Sequence, residues 1–105
     1  MVPASLLRFA TLLAFASAAA FVAAQPAPDA IRKGAAVFSQ NCAACHGARM
    51  ADPQGAFDLR QFPADEKNRF VTSVTKGKNS MPPWGDLLNS DELEALWAYV
   101  VAGEK

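Results

Sequence analysis

The sequence predicts an all-α fold of three to four helices joined by long loops. Two observations carry this. Three segments repeat apolar residues at helical spacing, and no segment shows the alternating pattern of a half-buried strand. Pro53, Pro63, Pro82 and Pro83 lie in the stretches between those segments.

The first helix is expected from about Ala30 to Asn41, with Asp29 after Pro28 as its N-cap. Ile31, Ala35 and Phe38 stand at i, i+4 and i+7 on one face. Gly34 costs about 1 kcal/mol relative to Ala in a helix interior, and such a glycine marks the close approach of another element. Residues 47–63 read as irregular, with Asp58-Leu59 as a short fixed point. A second helix opens at Pro63-Ala64-Asp65-Glu66, with proline early and acids in the first turn. Phe70, Val71 and Val74 form its stripe, and Lys76-Gly77 closes it. Pro82-Pro83 forbids a helix in the loop from Lys78 to Gly85. The last helix starts near Asn89 or Ser90 and ends at Gly103. Leu93, Leu96, Trp97 and Val100 share a face, with Tyr99 at its margin.

Residues 1–24 read as a cleavable secretory signal. Arg8 supplies the positive region, Phe9 to Phe21 is apolar, and Val22-Ala23-Ala24 is a small-residue cleavage site. Cleavage after Ala18 or Ala20 is an alternative. The other reading is an uncleaved anchor, but the uncharged stretch of 16 residues, rich in alanine, is short for a bilayer. The domain expected to fold is 25–105. Without Arg8 it has 9 basic and 10 acidic residues, which excludes a nucleic-acid binder driven by bulk charge. A core this small needs a staple, so the chain without its cofactor is expected to fold poorly.

Cys42-Ala43-Ala44-Cys45-His46 holds the only cysteines and the only histidine in the chain. A C-x-x-C-H run is the attachment site of c-type haem: the thiols add to the porphyrin vinyl groups and the adjacent imidazole lies under the iron. Three other readings compete. A thioredoxin-type pair belongs in a βαβ pattern that is missing here. A zinc site needs a second pair of ligands. A structural disulfide beside a chance histidine is the third.

The order helix, C-x-x-C-H, irregular loop, helix, Met-Pro loop, aromatic-rich last helix resembles the small bacterial class I c-type cytochromes from about Ala30 to Val101. Gly34 and Phe38 match the family's glycine and aromatic on the first helix, and Leu96 and Tyr99 its paired positions on the last. The resemblance implies a cytochrome c fold wrapped around one covalent haem c. It implies Cys42 and Cys45 as thioethers, His46 as proximal iron ligand and Met81 as distal ligand, in the loop Asn79-Ser80-Met81-Pro82-Pro83-Trp84-Gly85. Met50 is the competing thioether, but it lies only four residues from His46 and cannot easily reach the opposite face. His/Met ligation raises the reduction potential. The family commonly places a proline whose carbonyl accepts the proximal histidine's Nδ1–H. Pro53 is early for that role, which leaves the carbonyl of Ala56 or Phe57. Trp84 and Arg60 are candidate propionate partners. Arg49, Lys76 and Lys78 are candidate docking charges.

With both axial positions filled, substrate has no open coordination site. The expected function is therefore a soluble periplasmic one-electron carrier, not an enzyme, and a monomer. Its partners would be redox proteins: a dehydrogenase, with the Met-Pro-Pro-Trp-Gly-Asp stretch resembling haem domains of quinoprotein alcohol dehydrogenases, or a quinol-oxidising complex, and a terminal acceptor. The alternatives are a haem subunit of a larger dehydrogenase or oxidase, and a haem enzyme or gas sensor with a labile Met81.

Overall fold

A computed structural model of the chain describes residues 11–14 and 25–104. The expected signal over 1–24 lies outside the described residues, apart from 11–14. Among the described residues there are four α-helices, α1 (Pro28–Asn41), α2 (Ala43–His46), α3 (Lys67–Lys76) and α4 (Ser90–Ala102), and no strand. Two 3-10 turns, Ala48–Met50 and Leu59–Gln61, punctuate the long connection between α2 and α3. No described helix is long and apolar enough to cross a membrane.

Helix α1 starts two residues before the expected point. Pro28 occupies its first turn, where a missing N–H costs nothing. Ala27, not Asp29, is the N-cap, and it gives no side-chain cap. Asp29 instead lies within the first turn and pairs with Arg32. Helix α3 starts later than expected, because Pro63 to Glu66 forms a turn closed by the Glu66 N–H on the Pro63 carbonyl (3.2 Å). Helix α4 starts where expected, and the structure adds a full capping box at its start. Asn89 accepts from the Glu92 N–H (2.8 Å), and Glu92 accepts from the Asn89 N–H (3.1 Å).

The core forms where α1 crosses α4. A Cβ on Gly34 would overlap the Ala95 carbonyl and lie 2.7 Å from Tyr99 Cβ, so the two backbones touch and only glycine fits. Val37, Phe38, Leu96, Tyr99 and Val100 fill the crossing. Tyr99 was expected at the margin of its face, but it is 3% exposed and its ring packs on Phe38 at 5.3 Å. The space Gly34 leaves open is what admits it. A second layer of Phe62, Phe70 and Trp97 joins α3 to α4, with ring centroids 5.1–5.9 Å apart. Lys67 and Glu94 pair across the same helices (2.7 Å).

Candidate haem site

Cys42 is the hinge between α1 and α2. Its N–H closes α1 on the Phe38 carbonyl (2.8 Å), and its own carbonyl accepts from His46 N–H (2.9 Å). One helical turn therefore carries both thiols, three residues apart and on the same side, and delivers the imidazole at its end. Both cysteines are free thiols, so no disulfide forms. Cys45 is exposed, whereas Cys42 is half-buried against the core. Burial, and then the neighbouring Cys45, push the Cys42 thiol up to about 11. Among the described residues no cluster of three or more His, Cys, Asp or Glu side chains forms a metal cage, which a zinc site would need.

His46 Nδ1 faces the Phe57 carbonyl at 3.4 Å, one of the two acceptors that the sequence left open. A carbonyl only accepts, so Nδ1 is the nitrogen that donates in this contact, the tautomer that leaves the Nε2 lone pair for a metal. Pro53 does not provide the acceptor. Its segment is spent on the left-handed loop that precedes Phe57.

Met81 lies on an independent element. Gly77 (φ 77°) ends α3, and a side chain there would press on the Met81 carbonyl at 2.6 Å. Lys78 and Met81 then exchange both backbone hydrogen bonds (2.9 and 3.1 Å) around Asn79, whose φ is 53°. Asparagine tolerates that conformation. The Trp84 and Gly85 N–H groups tie the loop back to the Val74 and Thr75 carbonyls (2.8 and 3.2 Å). Met81 is half-buried against the core, as are Trp84 and Cys42. Met50, the rival thioether, is 0% exposed and packs wholly inside the core.

The remaining candidates divide. Arg60 is held by Asp58 through Nε and Nη2 (3.1 and 3.2 Å), only two residues away, so a propionate would have to compete with that pair. Arg60 in turn holds the Asp58 carboxyl below the usual carboxylate range. Arg49, expected as a docking charge, pairs with Glu104 (3.1 Å). Lys76 and Lys78 are exposed and pair with no carboxylate among the described residues. Glu104 was not foreseen. It follows Gly103, beyond the last helical repeat, where no periodicity marks it.

A soft thioether, an imidazole with a free Nε2, and two thiols on one turn form a donor set that fits a covalently attached haem. The sequence model of the family described as "Cytochrome C oxidase, cbb3-type, subunit III" matches residues 29–100. Cytochrome c6 of Microcystis aeruginosa is 38% identical over 74 residues, covering 66% of this chain and 91% of that protein. Cytochrome c6 of Limnospira maxima is 38% identical over 80 residues, covering 68% and 90%. Cytochrome c6 of Thermostichus vulcanus is 35% identical over 101 residues, covering 90% and 89%.

Proposed function

The chain belongs to the small monohaem c-type cytochromes, electron carriers with one covalent haem c rather than enzymes, and from that premise we propose that it works in the periplasm after loss of residues 1–24. It would take electrons from a dehydrogenase or quinol-oxidising complex and pass them to a terminal acceptor. Cys42 and Cys45 hold the haem as thioethers. His46 through Nε2 and Met81 through Sδ would hold its iron. When bound, the haem iron supplies reversible one-electron chemistry between its ferrous and ferric states.

The observation that carries this reading is the placement of the two axial candidates on separately braced elements. His46 ends α2 and is oriented by the Phe57 carbonyl. The Met81 loop is braced by its own four backbone hydrogen bonds. Two ligands held in this way leave no coordination site for a substrate. A thioether opposite an imidazole favours the ferrous state relative to a second nitrogen, so it sets an elevated potential. Lys76 and Lys78, which pair with no carboxylate among the described residues, suit brief, electrostatically steered contact with an acidic redox partner. The bimolecular rate with such a partner should therefore fall as salt rises.

The direct experiment is carbon monoxide added to the reduced holoprotein. A carrier closed by Met81 shows no spectral change. Ready formation of the adduct in the wild type would overturn the assignment. A second reading is supported by the description of the matching family, which names an oxidase subunit. In that case the protein would co-purify with a larger oxidase instead of alone.

A further inference from the structure

Between Gly47 and Gly55 the backbone is left-handed at six positions. Besides the two glycines (φ 84° and 88°), these are Arg49 (57°), Met50 (59°), Asp52 (52°) and Gln54 (50°). Residues with a Cβ resist this conformation, and it persists only where surrounding contacts over-determine it. Two anchors do so here. Met50 is sunk in the core at 0% exposure. Arg49 reaches the end of α4, where its Nη2 donates to Glu104 Oε2 at 3.1 Å. The other oxygen of Glu104 accepts from the Tyr99 hydroxyl, also at 3.1 Å. Tyr99 is itself buried at the crossing of α1 and α4, so Glu104 links that crossing to the loop. The Arg49 side chain is open to water at 80%, but the Glu104 side chain is only 21% exposed. Arg60 lines the same cleft as Arg49 and Glu104. Its guanidinium is held by Asp58, so it does not draw Glu104 away.

The loop begins directly after His46. Two residues beyond its end, Phe57 presents the carbonyl that meets His46 Nδ1. The neck of the loop is thus the hydrogen bond that orients the imidazole, and the loop is pinned at Arg49 by Glu104. We infer that Glu104 is a positioning residue for His46: by clamping Arg49 to Tyr99 it keeps the loop closed and the Phe57 carbonyl on the imidazole ring. This rests on the reading of His46 as proximal ligand.

Proton NMR of the ferrous holoprotein tests it, through exchange of the His46 Nδ1 proton with solvent. Glu104→Ala should speed that exchange roughly tenfold, the loss of about one net hydrogen-bonded contact from the closed loop. Arg49→Ala removes an exposed side chain and leaves the core intact, and it should do the same. Glu104→Gln keeps an amide oxygen to accept from Arg49, and its NH2 can donate to the Tyr99 hydroxyl oxygen, so it should restore slow exchange. Wild-type exchange in both alanine variants overturns the inference. So does a glutamine variant as fast as the alanine one, since the effect would then belong to charge and not to hydrogen-bonded positioning. The ligand reading fails by a separate sign. The wild-type His46 ring protons would then lie where a free imidazole's lie, unshifted by the haem.

Discussion

Replacing Gly34 by alanine tests the crossing on which the whole site hangs. Helix propensity alone favours the change by about 1 kcal/mol. The structure opposes it. The new Cβ overlaps the Ala95 carbonyl and lies 2.6 Å from the Ala95 carbonyl carbon. Those atoms belong to the backbone of α4 and cannot rotate away, so α1 and α4 must part. Val37, Phe38, Leu96 and Tyr99, all at most 5% exposed, then lose contact together. Overpacking costs roughly 1–3 kcal/mol and occasionally more. A backbone clash with four buried side chains behind it belongs at the upper end, about 3–4 kcal/mol. The net loss is then about 2–3 kcal/mol after the propensity gain. For a domain of this size that lowers Tm by roughly 10–20 °C. Thermal and guanidinium unfolding of the holoprotein, followed by circular dichroism, reads it directly. An unchanged or raised midpoint would mean that only propensity was felt, and would refute the backbone contact.

Asn89→Ala removes the side-chain acceptor of the capping box on α4 and leaves the residue's backbone N–H to Glu92 in place. It should cost about 1 kcal/mol, a Tm loss of roughly 4–8 °C, and an unchanged melting curve would contradict the cap's role. Asp58 and Glu104 give a pH dependence. Hydrogen bonds from Arg60 and Arg49 hold their carboxyls below the ordinary values of 3.8 and 4.5. Folded values below the unfolded ones mean that the unfolded chain takes up protons first as pH falls. The stabilising contribution is therefore complete above the unfolded values and is lost as pH drops through the folded ones. The stability gap between the wild type and the Asp58→Asn/Glu104→Gln pair should shrink as pH falls below about 4.5. A gap independent of pH would sink this assignment.

The helices and their crossing were legible in the sequence because each carried a local signal. The acids Asp91, Glu92 and Glu94 marked the start of α4 near Asn89. Gly34, unfavourable where it stood, announced a close neighbour. Two starts slipped although they carried signals: Asp29 lies inside the first turn of α1, which begins at Pro28, and the proline and acids of 63–66 form a turn ahead of α3. Periodicity along α4 left Tyr99 at the margin, because its burial depends on the missing side chain of Gly34 on another helix; the family resemblance had paired the two positions. The motif Cys42 to His46 was legible because its spacing is its chemistry. The acceptor for His46 was not, since a backbone carbonyl carries no residue signature. The choice between Ala56 and Phe57 needed the path of the left-handed loop. Glu104 and Arg49 lie 55 residues apart in sequence, and only the fold pairs them. Arg60 pairs with Asp58 only two residues away, a local contact that the sequence reading did not weigh.

The central claim is that Met81 closes the iron opposite His46. The most direct measurement is the absorption spectrum of the oxidised holoprotein in the far red, where a ferric haem–thioether bond gives a weak charge-transfer band. The account predicts that the band is present in the wild type and absent in Met81→Ala, with the haem still covalently attached in both. Covalent haem without the band in the wild type, or a band that survives Met81→Ala, would contradict it.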